Sequence, residues 1–199
     1  MRDGEKTREH IIERAAVLFN QQGYSGASMS DIMAATGLQK GGIYRHFGSK
    51  EQLALEAFDY AVSRMADRFR EALEGRVHAV DRLAAVVEVY AKLPVNPPVP
   101  GGCPVMNTAI ESDSVHPALR DRAQRAMDGL RALIRRTTRE GISRGEIRAE
   151  VDAEALATLM ISALEGGVML SMLYGDPSHA ESVAAHLREH LRTAVMSYE

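Results

Sequence analysis

The chain has 199 residues and a net charge of −3, long enough for one domain or two small ones with a sizeable core. Apolar residues are 45% of it and charged ones 26%, which excludes a disordered or collagen-like chain. The single cysteine, Cys103, excludes an intramolecular disulfide framework and fits a reducing cytoplasm, the compartment expected here.

The polar start, Met1 to Lys6, has no apolar signal-peptide core, so secretion is not expected. Residues 7–22 read as a helix, with Ile11, Ile12, Ala15, Leu18 and Phe19 at helical spacing and Gly23 as its stop. A short helix over 28–36 opens on Ser28 with Asp31 three residues on, an acidic capping box, and Gly37 gives a tight turn after it. A third short helix over 40–47 places Ile43 and Phe47 four apart, facing inward, and leaves a polar outer face.

Residues 49–73 begin with a Ser49-x-x-Gln52 capping box and continue as a long amphipathic helix up to Gly75. Another amphipathic helix covers 78–93. Pro94 to Gly102 carries four prolines and cannot be helical. A short helix over 104–112 has Pro104 in its first turn, where a missing N–H costs nothing. The next helix runs from Pro117 to about Arg144, and Asp152 caps an apolar helix over 153–174. Glu154 and Glu165 interrupt that segment, so it reads as a buried helix and no membrane span is expected. The last helix covers about 177–197, with Asp176 as its cap and Pro177 at its first position. No strand alternation occurs at any length, so the fold class expected is all-α, with about nine helices.

Charge is unevenly spread. Residues 1–50 carry +2 and the remainder −5, a mildly basic head on an acidic body. Three short helices joined by tight turns, the third with a polar face, have the layout of a helix-turn-helix. The run from Ser28 to Leu53, above all Gly37, Lys40-Gly41, Tyr44, Phe47 and Ser49-Lys50-Glu51, resembles the TetR family of transcriptional regulators. The resemblance covers the head, residues 1–48, and implies a helical ligand-binding and dimerisation domain over 49–199. Gln39 departs from the family, where Ser or Thr is usual.

The resemblance implies a DNA operator as partner. Tyr44, Arg45, His46, Lys50, Ser28 and Ser30 are then phosphate-contact candidates. Lys50 stands at a helix N-terminus, where free N–H groups already favour an anion. Gln39, Lys40 and Arg45 are the base-reading candidates, since Gln pairs with adenine and Lys or Arg with guanine. Gly41 lets the helix backbone approach DNA closely. A two-fold site calls for a homodimer, and the apolar helix 153–174 with the last helix offers the interface, Gly166-Gly167 permitting close approach.

The resemblance also implies a small-molecule effector held by the middle helices. The lining candidates are Met65, Phe69, Tyr90, Cys103, Met106, Asn107, Ile110, Met127, Met160, Leu164, Glu165 and Met169, set in a methionine-rich, adaptable interior. An alternative control is modification of the Cys103 thiol at a helix start, or a protein partner. His186 and His190 have metal-ligand spacing but no third ligand in view, so no metal is expected. No nucleophile elbow, phosphate loop or dinucleotide fingerprint is present, so neither enzymatic activity nor a cofactor is expected.

Overall fold

The computed structural model describes residues 3–111 and 116–197, the side chains of Asp3 and Ala194 apart. Among these residues it has nine α-helices and no strand. They are α1 (Asp3–Gly26), α2 (Met29–Thr36), α3 (Lys40–Tyr44), α4 (Lys50–Leu73), α5 (Ala79–Lys92), α6 (Pro104–Glu111), α7 (Pro117–Ser143), α8 (Ala153–Tyr174) and α9 (Ser178–His190). The all-α expectation and its helix order are borne out. Ser112, the expected end of α6, lies outside the described residues.

Several ends differ by identifiable causes. Gly23 does break α1, at φ 77° and ψ 168°, but helical turns resume as far as Gly26. α3 ends at Tyr44 and not at residue 47; the chain tightens there, with the Phe47 and His46 amides both donating to the Ile43 carbonyl. The final helix does not run unbroken to residue 197. It widens into a π-helical turn, Leu191–Val195, after which the Arg148 amide donates to the Val195 carbonyl and the Ser197 amide to the Glu146 carbonyl. Asp176 accepts from the Ser178 amide and hydroxyl at 2.9 and 2.8 Å, while Pro177 occupies the cap position itself.

The chain forms two compact units. One comprises Met1–Met65 and Pro98–Arg125, the other Ala66–Pro97 and Ala126–Glu199. The first is built on Ile11 and Ala15 of α1, Ile32 of α2, Ile43 and Phe47 from the third helix and the turn after it, and Leu53, Ala57 and Ala61 of α4. On α1, on α4 and from the third helix into its turn these residues recur every four positions, so one stripe faces inward. Val99 of the proline-rich segment joins this cluster.

In the second unit α8 packs on α9 and α5. Val86, Val87 and Tyr90 of α5, Met160, Leu164 and Val168 of α8, and Leu187 of α9 are all buried there. Gly167 makes the close approach possible: a Cβ on it would lie 3.2 Å from Ala180 and Val183. α8 is long and apolar enough to cross a membrane by composition alone, but half of its most apolar window is buried inside the protein. Its N-terminus is capped as expected, with Asp152 accepting from the amides of Glu154 and Ala155 at 2.8 and 3.2 Å.

Candidate DNA interface

The head positions α3 through local chemistry. The capping box at α2 is complete: the Ser28 hydroxyl accepts from the Asp31 amide at 3.2 Å, and the Asp31 carboxylate accepts from the Ser28 amide at 2.8 Å. The Ser28 hydroxyl donates to the same carboxylate at 2.6 Å, and that bond, followed by the one from the Ser28 amide, holds the Asp31 carboxyl below its ordinary range. Gly37 takes the left-handed conformation, φ 70°, and its amide donates to the Met33 carbonyl at 2.9 Å. The turn to α3 is therefore one a residue with a Cβ would strain. His10 of α1 bonds the Thr36 carbonyl at 3.3 Å, fixing the same turn from the other side.

Ile43 and Phe47 anchor the inner face of the third helix and the turn after it, each 1% exposed. Arg8 lies 4.9 Å over the Phe47 ring and pairs with Glu56 of α4. The outer face carries Gln39, Lys40, Gly41, Tyr44 and Arg45, all exposed, and Ser28 and Ser30 are exposed at the start of α2. The Gln39 side chain makes no cap bond to α3, so Gln39 is available to a partner. Around the Cβ position of Gly41 nothing lies within 4 Å, so this glycine answers no packing constraint inside the chain. Lys40 sits 5.8 Å over the Tyr44 ring. His46 is half-buried beside Phe47.

Lys50 is placed differently from the other candidates. Its ammonium donates to the Tyr24 carbonyl at 2.5 Å and lies 4.3 Å over the Tyr24 ring. Partial burial pulls its pKa down. In the Ser49-x-x-Gln52 cap, Ser49 accepts from the Gln52 amide at 3.0 Å as expected, but the Gln52 side chain reaches the Gly48 amide, one residue before the cap.

The expected effector-lining residues divide between the two units. In the second, Phe69 and Tyr90 lie 6.1 Å apart by ring centroids, and the Tyr90 hydroxyl meets the Glu165 carboxylate at 3.0 Å. Met160 and Leu164 are buried in the same unit, and Met127 is half-buried. Met65 and Cys103 are buried and Met106 is half-buried in the first unit. Two of these expectations are corrected. Ile110 is 72% exposed and Met169 45% exposed, so neither lines an interior pocket; each sits on the outward side of its helix. The first unit also contains a cleft lined by Phe19, Asn20, Tyr24, Phe58, Asn107 and Glu111 among others. It holds about 30 Å³, room for a water or two and far below the roughly 300 Å³ at which small-molecule sites begin. Asn107 is the single lining candidate it includes.

Asn20 carries no functional signal in the sequence. In the structure it is buried, and its amide donates to the carbonyls of Val99, Pro100 and Gly102 at 3.4, 3.0 and 3.4 Å. Asn107 of α6 donates back to the Asn20 carbonyl at 3.0 Å. Among the described residues no cluster of three or more metal-ligating side chains occurs.

A third helix with an exposed polar outer face and Ile43 buried on its inner side, behind a glycine turn, defines a helix-turn-helix DNA-binding protein. The model of the TetR family of bacterial regulatory proteins matches residues 11–57, and that of the tetracyclin repressor-like C-terminal domain matches residues 79–187. A TetR transcriptional regulator from Chloroflexus aurantiacus superposes with a TM-score of 0.96 at 49% identity, over the whole of both chains. The repressor DhaR of Mycobacterium sp. strain GP1 is 27% identical over 81% of this chain and 80% of its own. A cysteine mutant of the TetR-family regulator CifR, solved with a 26-bp double-strand operator DNA, has a TM-score of 0.80 at 26% identity, covering 93% of this chain and 95% of that one. The chain belongs to the TetR family. It is a DNA-binding transcriptional regulator and not an enzyme.

Proposed function

We propose that the protein is a cytoplasmic repressor that binds a palindromic operator as a homodimer and is released by a small-molecule effector. The carrying observation is the outer face of α3, where Gln39, Lys40, Tyr44 and Arg45 stand exposed together on a helix anchored by Ile43. Lys40 and Gln39 read bases, while Tyr44, Arg45, His46, Ser28 and Ser30 hold phosphates. Residues 1–48 serve as the reading head and 49–199 as the sensing and pairing domain. The repressor name of DhaR and the operator complex of CifR support this reading by analogy.

Pairing runs through α8 and α9. Leu159, Ser162, Met169 and Leu173, all exposed, and the half-buried Gly166 form a stripe on α8, spaced alternately three and four residues apart. That is the repeat of a helix–helix seam. The effector is an apolar or aromatic molecule held near Phe69, Tyr90 and Glu165, where an aromatic pair and a hydrogen-bonded carboxylate meet.

The test is selection of genomic DNA fragments by the purified full-length protein, with sequencing of the bound pool. The expected product is an inverted repeat bound by two protomers or a multiple of two. Recovery of a single unrepeated half-site, or no enrichment over bulk DNA, overturns the reading.

A further inference from the structure

The break in α1 creates a second helix N-terminus inside the head. Gly23 acts as its cap residue: its carbonyl accepts from the Ala27 amide at 3.1 Å, so a new turn starts there. The first amides of any helix lack partners from the preceding turn, and a cap side chain normally supplies one. Glycine has none to offer. The missing acceptor comes from α6: the Glu111 carboxylate accepts from the Tyr24 amide through one oxygen and from the Ser25 amide through the other, both at 2.7 Å.

Position 23 is shaped for this bond. A Cβ there would fall 2.6–2.9 Å from the Glu111 carboxylate, and the backbone lies at φ 77°. Tyr24 is gripped from two further directions, by the Lys50 ammonium on its carbonyl and ring and by the His116 ring, edge-on at 4.0 Å. The clamped turn leads straight into Ala27, which is fully buried, and Ser28, the cap of α2. A second bolt, between Asn20 and Asn107, joins the same two helices nearer the start of α6.

We propose that Glu111 is a positioning residue for operator binding, capping in trans the turn that enters the helix-turn-helix and so fixing where α2 and α3 stand. The carboxylate touches no DNA in this scheme; it sets the geometry of residues that do. The inference rests on the reading of α3 as the DNA-contacting helix.

The test uses the full-length protein and a duplex carrying the inverted repeat recovered by selection. Glu111→Ala, which removes both bonds, should speed hydrogen exchange at the Tyr24 and Ser25 amides and weaken duplex binding about tenfold or more. The slope of affinity against salt should stay that of the parent, because no phosphate contact is removed. Glu111→Gln keeps one acceptor oxygen and should fall between the two; it also serves if Glu111→Ala does not fold. Unchanged exchange at Tyr24 and Ser25, or faster exchange with binding within twofold of the parent, overturns the proposal. A reduced salt slope in Glu111→Gln overturns it as well. Lys40→Ala, measured alongside, separates the two readings. If it binds normally, the assignment of α3 has failed; if it weakens binding while the Glu111 variants do not, only the role of Glu111 has.

Discussion

Lys40 and Lys50 carry the same charge ten residues apart, yet the structure gives them different surroundings. Lys40 is exposed on the outer face of α3. Lys50 is drawn onto Tyr24, its ammonium already donating to a carbonyl and resting on an aromatic face. Lys40→Ala should therefore weaken operator binding, relax base preference and lower the salt slope by about one. Lys50→Ala should lower the melting temperature by loosening the joint between α1 and α4, and should leave the salt slope alone. Binding titrations over a series of salt concentrations separate these outcomes. A slope that falls equally for both variants means that Lys50 swings out to a phosphate on the complex. Cys103 obeys a similar logic of placement. It is 1% exposed at the start of α6, so thiol labelling of the folded protein should run slower than that of unhindered cysteine. Faster labelling would favour thiol control over a metabolite.

At the scale of elements, the sequence reveals whatever its own neighbours decide. The Ser28–Asp31 box, the Gly37 turn and the Asp152 cap each close within three or four residues, and each stands in the structure as the sequence implies. Gly23 reads as a stop for the same reason. The restart of the helix beyond Gly23 is not legible, because the acceptor that caps it sits on Glu111, 87 residues from Tyr24. The proline-rich segment is legible as non-helical and no further. Its carbonyls find Asn20, and its Val99 joins the core of the first unit, across some eighty residues. Ile110 and Met169 are apolar yet turn outward, because apolarity alone does not say which side of a helix faces inward. On α8, apolar around most of its circumference, periodicity carries little direction. The bond network at Asn20 makes a separate prediction. Asn20→Ala leaves carbonyls of residues 99–102 without their donor and should cost about 1–3 kcal/mol of stability, read as a shift in the urea midpoint with the slope unchanged. A midpoint that stays at the parent value means that those carbonyls are served by water.

For the whole molecule the question is what the proposed dimer adds to the operator affinity of one α3. A single α3 offers only a handful of base and phosphate contacts, and joining two on a rigid dimer makes the second contact intramolecular, raising affinity by about 10²–10⁴. The two glycines at the middle of α8 allow this to be tested without confusing pairing with folding. Gly167 faces inward, against Ala180 and Val183 of α9, whereas nothing lies within 4 Å of the Cβ position of Gly166. Gly167→Leu should therefore destabilise the protomer itself. Gly166→Leu should leave the protomer's helices packed but hold apart the two α8 seams proposed to meet along Leu159, Ser162, Gly166, Met169 and Leu173. Leu173→Glu, on a side chain 70% exposed in the protomer, places a charge on the same seam, where burial unpaired is costly. Both seam variants should sediment as monomers with native helical content and lose operator binding by about a hundredfold or more, while Gly167→Leu loses melting temperature first. Dimers that persist in both seam variants would place the pairing surface elsewhere. Monomers that still bind the full palindrome with parental affinity would mean that one head suffices, and the argument from paired half-sites would fall with them.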